Sequence, residues 1–165
     1  VVLFVVIALD KSLRILLDTN IYGNIFELDE AEEFIISVGK SDFIICGCNV
    51  IRKELRKIPK EMKLRKLALS AYDLLVDFKR NYAVNELIKT LAIGYSGHHG
   101  SSFKNMENDF LIVATASIHN VEIVVSDDEK TMTSAKAIKA YQNVNRKFQL
   151  SVPKFIKFEE FKKLV

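Results

Sequence analysis

"LRILLDTN", Leu13–Asn20, decides how the chain is read. Leu13 to Leu17 is a short, continuous apolar run, the pattern of a strand buried on both faces. It stops abruptly in a carboxylate, a hydroxyl and an amide: Asp18, Thr19 and Asn20. Other runs read as strands too. "DFIICGC", Asp42–Cys48, is apolar, and "VEIVVS", Val121–Ser126, is β-branched. "PKFIKF", Pro153–Phe158, alternates, and its proline suits a sheet edge. A further short strand is expected near Tyr82–Val84.

Helical segments lie between these runs. "ELDEAEEFIISVG", Glu27–Gly39, has acids in its first turns, which suit the helix dipole, and Gly39 as a stop. Asn49 can cap "VIRKELRKI", which Pro59 ends. Within Lys60–Lys79, Leu64, Leu67, Ala68, Ala71, Leu74, Leu75 and Phe78 share one helical face. Asn85–Ile93 reads as a short helix, and "GYSGHHGSS", Gly94–Ser102, as the clearest loop of the chain. A helix is expected from Glu107 or Asn108 to His119, where a cation would suit its end. Another covers Thr131–Asn145, capped by Thr131 or Thr133, and "EEFKKL" closes with a short one. Strands alternating with helices predict an α/β domain with a mainly parallel sheet and right-handed crossovers. In such sheets ligands bind outside the carboxyl ends of the strands.

Composition fits that reading. The chain has 165 residues, 49% of them hydrophobic, enough for one domain with a sizeable core. Two prolines and six glycines leave little room for a disordered linker. Cys46 and Cys48 are too close for a comfortable disulfide and too few for a structural zinc site. They read as small core residues of a protein in a reducing, cytoplasmic setting. The apolar run Val1–Leu9 is shorter than the roughly 20 residues of a membrane span. It also lacks a secretory signal's basic start and cleavage site. Residues 1–12 are therefore expected to be an extension or extra strand before a single domain over 13–165.

The acids fall where the topology directs attention. Asp18 follows the first strand, and Glu54 lies one turn into the helix after the second. Asp109 opens a helix whose next residues, Phe110 to Ala116, are nearly all apolar, so that helix must be largely buried. Asp127 and Asp128 follow "IVVS". All of these carboxylates are predicted at one edge of the sheet. Each alone has an ordinary explanation: a turn or cap for Asp18 and Asp109, a surface pair with Arg52 or Lys57 for Glu54, a post-strand turn for Asp127-Asp128. Together they would repel strongly unless protonated, paired or neutralised by a cation. Hard oxygen donors without His or Cys favour Mg²⁺ or Mn²⁺. Such ions suit phosphodiester hydrolysis, where they activate water and stabilise the leaving oxygen.

"ILLDTNIY", "VIRKEL", "NDFLIVATAS" and "VEIVVSDD", in that order from Ile15 to Asp128, resemble the PIN domain. The similarity extends to VapC-like and archaeal PIN-domain ribonucleases. It implies a five-stranded parallel sheet of order 3-2-1-4-5 flanked by helices, and a Mg²⁺- or Mn²⁺-dependent ribonuclease binding one or two ions. Carried over by position, Asp18, Glu54, Asp109 and Asp128 would be the catalytic, metal-holding acids. Ser126 would support the first acid, Asp127 stands where Asn is more usual, and Thr19 and Asn20 would orient the ligands. The resemblance also implies a homodimer and, for a toxin of a toxin–antitoxin pair, a small antitoxin as partner. The chain departs from compact toxins in its expanded Lys60–Lys104 region.

From Arg52 to Lys66 eight basic residues face only Glu54 and Glu61. Arg52, Lys53, Arg56 and Lys57 surround the second acid and are candidates to bind RNA, although a charge run is usually a solvated face. His98 and His99 have no ligand-spaced partner and read as part of a polar loop. Two alternatives stand beside the nuclease: a non-catalytic RNA-binding or scaffold PIN domain, and an Asp18-phosphatase. The latter usually wants a second Asp where Asn20 stands.

Overall fold

A computed structural model describes residues 12–165. The extension expected over residues 1–12 lies, but for Ser12, outside the described residues. Five strands form one all-parallel sheet in the order β3-β2-β1-β4-β5: β1 Leu13–Leu17, β2 Phe43–Cys48, β3 Asn81–Tyr82, β4 Ile123–Val125 and β5 Lys154–Ile156. This is the order the resemblance implied. β1 is the middle strand, and Ile15, Leu16 and Leu17 are fully buried, because helices cover both faces of the sheet. β5 is an edge strand, with Pro153 just before it.

The helices are α1 Thr19–Phe26, α2 Ala31–Lys40, α3 Asn49–Lys57, α4 Lys63–Leu75, α5 Glu86–His99, α6 Phe103–Ile118, α7 Ala135–Lys147 and α8 Phe158–Lys162. Several differ from expectation. α1 was not foreseen: "TNIYGNIF" hides its buried face, Ile21, Tyr22 and Ile25, behind two polar residues. The Asn49 cap is not formed. Cys48 holds the cap position without a side-chain bond, and Asn49 is the first helical residue. In α4, Ala68, Ala71 and Tyr72 are buried, but Leu74, on the face expected to be covered, is exposed, as is Phe78 just past the helix.

The largest departure is Gly94–Ser102. Most of it is helix: α5 runs unbroken to His99, and only Gly100–Ser102, turned out by Gly100 at φ 74°, form a connection. Gly94 is there for packing. A β-carbon on it would sit 3.0 Å from Val144 Cγ1 of α7. The next residue, Tyr95, is buried and donates to Asn145 Oδ1 at 2.6 Å. His98 and His99 thus belong to a helix end. His99 packs edge-on to Phe110, and its Nδ1 is buried without a hydrogen-bond partner among the described residues.

α6 is kinked at Met106 (φ −125°, ψ 18°), so its second half begins just before Asp109. Phe110 to Ser117 are all buried, as the apolar run predicts. α7 starts at Ala135 with Ser134 as its cap, 3.2 Å from the Ala137 amide. Thr131 and Thr133 therefore serve the preceding turn instead. His119, expected as a cation at the end of α6, is pushed towards neutrality by burial and by Arg14, and it stacks on Tyr82 with ring centroids 3.6 Å apart.

Gly47 of β2 has no room for a side chain. An added β-carbon would fall onto the Tyr72 hydroxyl and lie 2.8 Å from Val76 Cγ1. That hydroxyl cannot simply swing away, since it donates within a pair of contacts to Cys48 O at 3.0 Å and Asn81 Oδ1 at 2.6 Å. Gly47→Ala is expected to cost about 2–3 kcal/mol. Urea unfolding should show a lower midpoint at unchanged slope; an unchanged midpoint would show that Tyr72 gives way freely.

Candidate active site

The parallel register makes the site. Leu17 pairs with Val125, so the next residues, Asp18 and Ser126, emerge side by side at the carboxyl edge. The Asp18 amide donates to Val125 O at 2.9 Å, which extends the ladder to its last step. Asp18 is both cap and site residue: its Oδ1 accepts from Thr19 N at 2.8 Å at the start of α1, and its Oδ2 accepts from the Ser126 hydroxyl at 2.8 Å.

Glu54 comes in from α3. It does not pair with Arg52 or Lys57. The Thr19 hydroxyl donates to its Oε2, and Asn108 Nδ2 donates to its Oε1 at 2.8 Å. Asn108 escaped the sequence reading. It is 54 positions from its partner, and the only clue is its place next to Asp109. Asp109 itself lies just past the kink of α6 and lines a cleft with Glu54.

Asp128 closes the group. Its Oδ1 accepts from the amides of Thr131 at 3.0 Å and Lys130 at 3.2 Å, and its Oδ2 from the Thr131 hydroxyl. Thr131 also lies against Asp109, where it favours the charged form. The hydroxyl proton of Thr131 goes to Asp128, a role hidden in a sequence where this residue looked like a helix cap.

Asp127 points elsewhere. Its Oδ1 accepts from Phe158 N at 2.9 Å at the start of α8, and its Oδ2 from Asn24 Nδ2 at 3.2 Å. Asn20 is exposed and lines the same pocket as Glu54 and Asp128, with no hydrogen bond to either among the described residues. Of the basic candidates, Arg52 is committed to a two-point pair with Asp73, both contacts at 3.1 Å. Lys53, Arg56 and Lys57 are exposed on α3.

The electrostatics follow from this crowding. Asp18 is 7% exposed, and burial, reinforced by Asp109 and Glu54, pushes its carboxyl up to about 6 despite its two hydrogen bonds. Burial likewise pushes Asp109 up to about 6, with Asp128 and Glu54 adding to the effect. For Asp128 partial burial is outweighed by the Thr131 hydroxyl and the surrounding amides, which hold it below the usual range.

The donor set fits a hard divalent cation in chemistry and charge: every acid offers oxygen, and two of them are disfavoured as anions by burial, with the neighbouring acids adding to it. As the side chains stand, no three ligand-type residues among those described approach closely enough to hold one ion together. Hydrogen bonds from Thr19, Asn108 and Thr131 occupy the oxygens of Glu54 and Asp128.

Fold and site together define an α/β protein with a five-stranded parallel sheet of order 3-2-1-4-5 and an acidic cluster at its carboxyl edge. No family model and no curated protein matches the sequence. Among solved structures the chain is similar to VapBC2 from Rickettsia felis, crystallised bound to a DNA fragment from their promoter. The identity is 16% and the TM-score 0.46, over 88% of this chain and 99% of that one. No helix among the described residues is long and apolar enough to cross a membrane.

Proposed function

We propose that the chain is a metal-dependent endoribonuclease that hydrolyses RNA phosphodiester bonds. One observation carries this reading: Asp18, Glu54, Asp109 and Asp128 come from four separate elements to one sheet edge, where Asp18 is buried and Asp109 half-buried at the cost of their own ionisation. Mg²⁺ or Mn²⁺ bound by these acids would supply water activation and stabilisation of the leaving oxygen. The chain's own part is orientation. Ser126 and the Thr19 amide aim Asp18, the Thr19 hydroxyl and Asn108 aim Glu54, and Thr131 aims Asp128. As the toxin of a toxin–antitoxin pair, the protein would be held inactive by a small partner covering the pocket of Thr19, Asn20, Glu54 and Asp128. That role and a homodimeric state rest on the PIN-domain resemblance.

A second reading, a non-catalytic RNA-binding or scaffold domain, draws on the absence of a closed three-ligand arrangement among the described residues. One assay separates the two. Labelled RNA is incubated with Mn²⁺ or with chelator, using wild type and Asp109→Asn. The nuclease reading expects cleavage with metal only, reduced at least about 100-fold in the variant, beyond the 10–100-fold typical of residues that merely orient ligands. RNA that is bound tightly yet stays intact under every metal condition would favour the scaffold.

A further inference from the structure

Three concavities meet at Glu54, and they differ in charge. The one on the α1 side is lined by Glu27, Asp127 and Asp128 with no basic residue. On the opposite side a cleft of about 360 Å³ opens between α3, α5 and α6 and presents Lys53, Lys57 and Lys89. It adjoins another of about 390 Å³, lined by Lys57 and Lys104. Glu54 and Asp109 belong to the acidic site, which leaves Glu107 as the remaining carboxylate lining these clefts against four lysines. Lys53, Lys57 and Lys104 make no ion pair among the described residues, and Lys89 pairs only with the exposed Glu86. A polyanion reaching Glu54 is drawn along one side and repelled from the other.

The cleft wall holds a second signal. The side chain of Asn49, which does not cap α3, has its Oδ1 buried without a hydrogen-bond partner among the described residues. A buried acceptor left unpaired is unfavourable; Asn49 as a whole is half-buried and lines the cleft, so a turn of its side chain brings this oxygen to a donor lodged there. Apolar Val50, Val84 and Leu111 line the same cleft and can support the flat face of a base.

We propose that this lysine cleft seats a single RNA strand running to Glu54 from the α3–α5–α6 side, and that Asn49 accepts a hydrogen bond from the nucleotide lodged there. The donor is an exocyclic amino group or a ribose hydroxyl, and Lys53, Lys57, Lys89 and Lys104 meet the phosphates. Only a splayed single strand offers its base edges in this way. The inference rests on the nuclease reading and extends it to residues from α5 and the start of α6.

The test is binding of a fluorescently labelled single-stranded oligoribonucleotide by the full chain, in chelator so that nothing is cut, across a salt series. Lys89→Gln/Lys104→Gln should bind about 10-fold more weakly at low salt. Its log–log salt slope should be shallower by about 1.4, two phosphate contacts' worth. Lys139→Gln/Lys154→Gln, on exposed surface outside both clefts, should match wild type. Asn49→Ala should lose about 3- to 10-fold at every salt with its slope unchanged. It should also melt no lower than wild type, since its acceptor has no partner in the free protein. A duplex of the same length should compete poorly. Lysine variants that bind like wild type would overturn the proposal, and metal-dependent cleavage by the same preparation would then leave the nuclease reading standing. An Asn49→Ala protein that melts markedly lower would overturn the role given to Asn49. Wild type that neither binds nor cuts RNA would overturn both readings.

Discussion

Asp18→Asn should melt higher than wild type at pH 8 in the absence of metal, and the gain should vanish by pH 4. The sign follows from the shift. Burial, with Asp109 and Glu54 adding to it, raises the Asp18 carboxyl from 3.8 to about 6 in the folded state. The folded protein therefore holds the proton more tightly than the unfolded chain does. That contribution to stability is complete below about 3.8 and is lost as pH rises through 6. A shift of about two units corresponds to roughly 2–3 kcal/mol above pH 6, or about 4–12 °C in a chain of this size. Asn removes the ionisation and keeps the contacts. Its amide can donate to Ser126 Oγ, and its carbonyl can accept from Thr19 N, as Asp18 Oδ1 does at 2.8 Å. On the metal-dependent reading, adding Mn²⁺ should reverse the ranking, because a cation held by these acids would stabilise wild type and would lose a ligand in the variant. RNA cleavage should disappear in the same variant. Thermal melts at pH 4, 6 and 8, with and without metal, check the whole pattern; a gain independent of pH would show that repulsion is not its cause.

Asn145→Ala should be the most damaging single change away from the acids. Asn145 is fully buried in α7 and joins three segments. Its Oδ1 accepts from the Tyr95 hydroxyl of α5, and its Nδ2 donates to Ser117 Oγ of α6 at 2.9 Å and to Ser151 O at 3.1 Å. Truncation leaves a void, reduces the Tyr95 phenol and the Ser117 hydroxyl to their 3.3 Å contact with each other, and frees the carbonyl of the exposed Ser151. Each lost partner in the core costs about 1–3 kcal/mol, so with the void a total of about 4 kcal/mol is expected. Tyr95→Phe removes one donor and leaves Asn145 two of its bonds, and should cost about 1–2 kcal/mol. Because α6 carries Asp109, the Ala variant should also lose affinity for Mn²⁺ under conditions where it is still folded. Urea titration and metal binding on one sample test both; a loss under 1 kcal/mol would mean that the network is not integral to the core.

What the sequence disclosed, and what it hid, follows from the range of the interactions. The strands were legible because sheet burial is written locally: Leu13–Leu17 matches β1 residue for residue, and "IVV" lies inside the predicted run. The order of strands came with the resemblance. The positions of the acids were legible because Asp18 and Asp128 come just after strands, Asp109 precedes a buried apolar run, and Glu54 lies one turn into the helix after β2. Gly94–Ser102 was misread because glycine has two uses. A rule that counts it as a turn former misses Gly94, which admits Val144 at close range. α1 was missed because Asp18-Thr19-Asn20 looks like a turn, and Asp18 does begin one before the helix continues it. Asn108, Thr131 and Asn49 were silent for another reason. Their importance lies in what faces them across the fold: Glu54, the Asp109–Asp128 pair and an open cleft.

Asp127 gives the site a history as well as a shape. Its carboxylate grips the first amide of α8, and the neighbouring Ser126 amide donates to Ile156 O of β5 at 3.0 Å. The turn that presents Asp128 is thus fastened by residues translated some thirty positions later. A nascent chain stalled before Ile156 already carries Asp18, Glu54 and Asp109, yet lacks the clasp that steadies the fourth acid. The acidic edge is thus fastened at two levels: bonds from Lys130 and Thr131 hold Asp128 within its own turn, and β5 with α8 ties that turn to the sheet.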